Sequence, residues 1–397
     1  MVPPPAPHPK RILAAFAVVL LWAGAARAQM PFSPFGARSV ALGGASVGLG
    51  PDVAAGIDNP AAVPNRNFAF TVSAGLLTRE SGDFLAPLRV LTGNNPVALA
   101  SSSQPQSYAD VVRALRTLAD PGNGFAGSGL AGLAIAHGGW ELSFTDWGFS
   151  GLTARTDLVH TALGANPATS IAFNDSAAVF RGLELRDLAL SKSMSFFLGR
   201  VTVGASVHAL FGSTYTKEES VFATEVGEPW NLAQRALTGR ERSHTDFSFD
   251  VGGLVSLGPV HVGGVVRGIN KPTFSFADDG PAADRGRSVT YGQQARIGAS
   301  VKIPVVGLLV AADYDLTANE TLVDNLRVRQ VGGGVEWTIL LVVVRAGASV
   351  NLESPNKAPA YTGGAGLTIG PAKVDLGGWY RTDKSALGLT LTARVGL

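Results

Sequence analysis

The 397-residue chain holds 32 Lys and Arg against 30 Asp and Glu, charged residues at 16%, 49 glycines and no cysteine. Ordinary soluble domains are roughly 25% charged, so with a mean hydropathy of +0.21 too little charge is left to coat a soluble surface of this size. The missing cysteines exclude disulfides and thiolate metal sites, and the near balance of charge disfavours nucleic acid as a partner.

Lys10 and Arg11 precede an apolar run over 12–22, and Ala26-Arg27-Ala28 fits the small-x-small rule of signal peptidase. Residues 1–28 therefore read as a signal peptide cleaved after Ala28, which addresses the chain to the bacterial cell outer membrane. Its removal deletes three bases and no acid and turns a formal +2 into −1. No later stretch reaches the roughly 18 to 20 apolar residues that a spanning helix needs. An exported, oily chain without such a helix has one other way across a bilayer, a closed barrel that pairs every backbone group internally.

Residues 29–66 carry no alternation. Gly43, Gly44, Gly48, Gly50 and Gly56 let backbone pack closely against a wall, and Asn59, before Pro60, is biased to extended or turn geometry. From 67 onward the pattern changes to segments alternating apolar with small or polar residues, expected as strands at 67–79, 125–138, 140–153, 181–197, 200–216, 244–257, 259–276, 288–303, 305–317, 326–338, 340–352, 361–370, 372–382 and 386–397. The last is typical: Leu387, Leu389, Leu391, Ala393 and Val395 share one face, and Gly388, Thr390, Thr392 and Arg394 the other. The expected fold class is all-β, a transmembrane antiparallel barrel of about 14 strands over 67–397, in one domain. Short connections follow even-numbered strands and long ones follow odd-numbered strands, which puts the tight turns in the periplasm and the loops outside.

Two long loops suggest helices. In the first, Ser107 and Asp110 offer a capping box, Tyr108, Val111, Val112, Leu115 and Leu118 a helical stripe, and Asp120-Pro121-Gly122 a stop. In the third, a helix is expected over 229–237. Two readings stay open, an outer lid that captures an apolar ligand, or helices packed on the barrel mouth. In the third strand Trp140, Leu142 and Phe144 hold one parity, and Trp147 and Phe149 the other. A slip at Phe144, Thr145, Asp146 and Trp147 marks a bulge or kink; an aromatic girdle of Trp140 and Trp147 is the alternative.

Charged residues lie opposite the oily faces: Asp250, Arg267, Asp313, Asp315, Glu336, Arg345, Lys373, Asp375 and Arg394. A lumen of mixed sign follows, its members satisfying one another rather than selecting one ion charge. Catalytic patterns fail. Gly44-Ala45-Ser46-Val47-Gly48 matches the nucleophile elbow, but Gly-Ala-Ser-Val recurs at 204, 298 and 347 in strand segments. Gly127-Ser128-Gly129-Leu130-Ala131-Gly132 has dinucleotide spacing without a following helix. His137, His160, His208, His244 and His261 lack ligand spacing. Neither an enzyme, a cofactor nor a metal is expected.

Phe35-Gly36-Ala37-Arg38-Ser39-Val40-Ala41-Leu42-Gly43-Gly44-Ala45, Pro51-Asp52-Val53-Ala54-Ala55 and Asp58-Asn59-Pro60-Ala61 resemble the N-terminal region of the FadL-like outer-membrane transport superfamily. Gly268-Ile269-Asn270-Lys271-Pro272-Thr273-Phe274 and Ala312-Asp313-Tyr314-Asp315-Leu316-Thr317-Ala318-Asn319 are similar to its TraF-like (conjugal transfer) branch, and PorV-like barrels are similar as well. The resemblance implies that 29–66 is a hatch filling the barrel, anchored through Arg38, Asp52, Asp58, Asn59, Pro60 and Ala61. It also implies that a kinked third strand opens the wall sideways. The implied function is passive transport of small, hydrophobic molecules across the outer membrane, with capture at the outer loops. The alternative is a non-transporting barrel that serves as a structural partner in conjugation or secretion. Expected partners are outer-membrane lipid, the barrel-assembly machinery, a small hydrophobic ligand and, on the alternative, a secretion or conjugation protein.

Overall fold

A computed structural model describes residues 30–65, 68–101, 105–223, 240–281, 284–354, 357–381 and 386–396. The signal-peptide segment and the helix expected over 229–237 lie outside the described residues. Fourteen antiparallel strands close into a single barrel. They are β1 Ala69–Ser81, β2 Gly124–His137, β3 Trp140–Arg155, β4 Ala177–Phe196, β5 Val201–Ser220, β6 Arg240–Leu257, β7 Val260–Arg267, β8 Gln294–Ile303, β9 Leu308–Asp315, β10 Gln330–Ile339, β11 Val342–Asn351, β12 Ala360–Ile369, β13 Ala372–Arg381 and β14 Ala386–Gly396. Each pairs with the next, and β14 returns to β1 from Ala69↔Gly396 to Arg79↔Ala386. Closure removes every sheet edge, which is what a bilayer demands of strands.

The direction of the faces settles what alternation left open. Leu387, Leu389 and Leu391 are 64%, 59% and 52% exposed, whereas Thr390 and Thr392 between them are 6% and 3% exposed. The oily face points out and the polar face in, the inverse of a soluble protein. Val72, Leu133, Leu142, Leu190, Val207 and Phe249 continue the exposed belt around the wall.

Short connections gather at one rim. At 138–139 both Gly138 and Gly139 take positive φ, +59° and +78°, the mirror-image turn that suits the strand twist. The other rim carries the long loops, and here three expectations are corrected. The strands expected over 259–276, 288–303 and 326–338 leave the wall early. Thr273–Ser275 pairs with Ser288–Thr290, and Asn319–Glu320 with Arg327–Val328, as separate two-stranded pieces. Gly268, at φ +61°, turns the chain inward directly after β7, while the alternation that suggested wall strands serves these small ribbons equally well.

The first long loop forms helices α3 Leu85–Thr92, α4 Pro96–Ala100 and α5 Pro105–Leu118, after two shorter ones inside the barrel, α1 Ala37–Ala41 and α2 Val53–Asp58. Because α5 begins at Pro105, Ser107 and Asp110 lie within its first turns and not at a cap. Phe84, Leu88, Leu91, Val111 and Leu115 bury themselves with Leu152 and Phe180. The register of β2 to β4 places Leu152 and Phe180 on the outward parity, so these helices brace the outside of the wall above the lipid belt. The mouth is covered instead by 268–281, 284–293 and 316–329. Phe274, Phe276 and Leu322 pack with Leu183, Leu185 and Leu210 of the inner wall.

Candidate functional site

Residues 30–65 pass through the barrel interior and are held by named contacts on every side. Asp58, 0% exposed, accepts the Phe35 amide at 3.0 Å and pairs with Arg267 of β7 at 3.0 Å. Asn59 caps the turn Pro60–Ala62 by accepting the Ala61 N–H at 3.0 Å, and its amide donates to the Val47 and Gly253 carbonyls. Asp313 accepts the N–H groups of Ser46 and Val47 at 2.8 and 2.9 Å. At Gly43, φ is +72° and an added Cβ would sit 2.4 Å from the Ala348 carbonyl oxygen. Only glycine lets the hatch backbone lie this close to β10 and β11.

Six charges close a ring between hatch and wall. Arg38 pairs with Glu336 at 2.8 Å, Glu336 with Arg345 at 2.7 Å, Arg345 with Asp375 at 2.8 Å and Asp375 with Arg394 at 3.2 Å. Arg394 then meets Asp52, which returns to Arg38 at 3.5 Å. Arg345–Asp375 is a charge contact without an aligned hydrogen bond. Three guanidiniums against three carboxylates leave the ring neutral, the condition under which buried charge is tolerable.

A second group lies across the lumen. His208 is flanked by Asp187 at 3.0 Å and Asp250 at 3.2 Å. Arg296 pairs with Asp315 at 2.6 Å. The Phe32 ring is sandwiched between the guanidiniums of Arg267 and Arg296, 4.0 and 3.8 Å from its centroid. Each cation is thereby shared between an acid and a π-face.

Between the hatch entry and the long-loop rim the lumen opens into a chamber that is partly continuous with the outside. Its wall is apolar: Met30 and Phe32 from the hatch, Leu130, Trp147 and Phe149 from β2 and β3, and Leu322 from the covering loop. Arg181, 2% exposed, fixes that cover by binding Asp284 at 2.6 Å and Asp324 at 2.9 Å, and Arg287 holds Asp324 at 2.7 Å. The chamber thus has a roof tied to β4 and a floor made by the hatch.

Arg38, Asp52, Asp58, Asn59, Pro60 and Ala61 all lie inside the barrel against the wall, and Asp250, Arg267, Asp313, Asp315, Glu336, Arg345, Lys373, Asp375 and Arg394 all occupy the inward parity. The kink at Phe144, Thr145, Asp146 and Trp147 is not present. β3 pairs without interruption with β2 through Gly132↔Thr145, Ala131↔Asp146 and Leu130↔Trp147, and with β4 along the same stretch. No residue is inserted. Instead, the apolar role moves from the outward face to the inward one, where Trp147 and Phe149 line the chamber, while outward Asp146 faces Arg186 across β4. Trp140 remains on the outside with Lys192 over its ring at 4.6 Å.

Glu141, the Phe32 sandwich and the Arg181 clamp were not anticipated. Glu141 sits on the inward parity two residues before Ser143, and that parity was its available signal. Ser46 of the elbow-like pattern lies in the hatch, its amide given to Asp313.

The family of the F plasmid transfer operon TraF protein matches residues 48–315. No curated protein matches the chain. Among solved structures, a deletion mutant of the TodX monoaromatic hydrocarbon channel aligns at TM-score 0.50 and 13% identity, covering 92% of this chain and 99% of that one. The Pseudomonas putida toluene transporter TodX aligns at 0.47 and 13%, covering 93% and 98%. A Pseudomonas aeruginosa FadL homologue aligns at 0.48 and 11%, covering 94% and 99%. At these identities the likeness is one of fold. With a closed fourteen-stranded barrel and a family match over most of its length, the chain belongs to the TraF family.

Proposed function

We propose that this protein is a passive outer-membrane channel for small hydrophobic molecules. The observation that carries the reading is the apolar chamber enclosed between a tied roof and a hatch, inside a barrel whose outer face is made for lipid. A concave, mostly apolar space with few polar groups is what a small-molecule site requires. Passage through an unbroken β3 would cost ladder hydrogen bonds, so the proposed route leads past the hatch. Uptake of labelled toluene into proteoliposomes, comparing wild type with a variant lacking residues 35–61, tests it. Flux in the wild type that rises in the variant supports a channel with a hatch; no flux in either removes the reading.

A second reading, a structural partner in conjugation or secretion, is favoured by the family match itself. Cross-linking in cells followed by co-purification of a defined periplasmic protein, together with absent flux, would establish it instead. Export by a signal peptide cleaved after Ala28 belongs to both readings. N-terminal sequencing of the protein from outer membranes is expected to begin at Gln29; an uncut Met1 would exclude the cleavage.

A further inference from the structure

Among the described residues, a cation of the chamber has no counter-charge. Arg79, near the long-loop end of β1, lines the chamber and lies over the Trp379 ring at 5.5 Å. It has no acidic partner among the described residues, and the neighbouring charge it feels is another cation, Arg381. The other lumen arginines described above are each paired with a carboxylate. Beside it, Trp379, 5% exposed, keeps its indole Nε1–H buried with no hydrogen-bond partner among the described residues. Two donors without acceptors thus stand together on the wall of an otherwise apolar space. Unmade hydrogen bonds of buried groups carry a desolvation penalty that a bound acceptor removes.

Gly388 faces Leu77 and Trp379 across its two ladders, and Gly75 faces Thr390 and Leu130; the Leu77 side chain covers Gly388 and the Thr390 side chain covers Gly75. Farther along the same wall Trp147 and Phe149 stack at 15° between their planes.

We propose that Arg79 and Trp379 form an anion anchor, and that the chamber takes a planar aromatic carboxylate, its carboxylate on the Arg79 guanidinium and the Trp379 N–H and its ring towards the aromatic faces of Trp147 and Phe149. This rests on the chamber being the ligand space of the proposed channel. A guanidinium meets a carboxylate through a planar fork, and a planar ring packs on aromatic faces without the rotamer freedom that a flexible chain would lose on binding.

The test is binding of 2-naphthoate to the purified full-length barrel, followed by the ligand's fluorescence, with neutral 2-naphthamide and aliphatic octanoate as comparisons. Wild type is expected to bind naphthoate about tenfold or more tighter than naphthamide, the worth of a charge-assisted hydrogen bond. Arg79→Gln is expected to abolish that preference while leaving naphthamide binding unchanged. Trp379→Phe keeps the ring and loses the N–H, and should weaken naphthoate alone; it also decides the matter if Arg79→Gln fails to fold. Equal binding of naphthoate and naphthamide by wild type, or an intact preference in both variants, overturns the anchor. Octanoate binding as tightly as naphthoate overturns the planar body. The channel reading fails separately: naphthoate that crosses the proteoliposome membrane without any dependence on Arg79 removes the anchor alone, whereas naphthoate that binds at Arg79 but never crosses removes the channel alone.

Discussion

Glu141 is the residue that least fits a resting hatch. It is 1% exposed, and neither carboxyl oxygen has a hydrogen-bond partner among the described residues. Helix α2 rests on it, with Gly56 so close that an added Cβ would lie 2.2 Å from Oε2. An orphaned buried acid costs about 1–3 kcal/mol or more, so at this point the wall pushes against the hatch that the charge ring and Asp58–Arg267 hold. Glu141→Met keeps the volume and removes the orphaned oxygens, and is expected to stabilise hatch docking by roughly 1–3 kcal/mol. Gly56→Ala is expected to loosen it. The chain has no cysteine, so a cysteine introduced at Ser191 gives a clean reading through its labelling by a water-soluble maleimide. Slower labelling in Glu141→Met and faster labelling in Gly56→Ala are the expected results; equal rates in all three proteins would show that Glu141 bears no such load.

At the scale of elements, legibility followed environment. The wall strands could be read because lipid outside and charge inside impose a period of two on every one of them. The inward charges were read for the same reason, since Asp375 or Arg394 on an oily face would be prohibitive. Loop geometry lacked such a constraint. Phe274 alternates like a strand residue yet folds into the mouth, and Trp147 changed parity because the lumen itself turns apolar there, not because the ladder slips. The roof tied by Arg181 is the element these loops create, and its strength can be stated. Arg181→Met leaves Asp284, 0% exposed, without its partner, and breaking a buried pair costs about 3–5 kcal/mol. Hydrogen exchange over 321–328 is expected to rise accordingly. Acid should act on the same ties. Burial opposes ionisation of Asp324, but Arg181 and then Arg287 outweigh it and hold the carboxyl below its usual range. A depressed folded value means that the stabilisation is complete above the unfolded carboxylate value, about 3.9, and is lost as pH falls below it. Protection over 321–328, taken relative to the intrinsic exchange rate at each pH, should therefore be flat from pH 7 to 5 and fall on further acidification, a response absent in Asp324→Asn.

For the whole molecule, the deciding fact is the inversion of polarity between wall faces, and it yields a test that separates a lipid-spanning barrel from a soluble one of the same topology. Leu391 is half exposed at the middle of β14. In a water-soluble barrel, exchanging such a residue for a charged one falls within about 0.5 kcal/mol of neutral. In a bilayer it places a guanidinium near the midplane, with a cost of about 2–4 kcal/mol that falls to about 0–1 kcal/mol toward the interface. Leu391→Arg should therefore lower stability by that larger amount in urea unfolding from lipid vesicles, and Leu387→Arg, four residues closer to the long-loop rim, by much less. The gradient, more than either value, is diagnostic, because exposures of 64% at Leu387 and 52% at Leu391 differ too little for burial within protein to separate the two by about 2 kcal/mol or more. Equal, small effects at both positions would mean that the exposed belt does not face lipid, and the chamber, hatch and roof would need another setting.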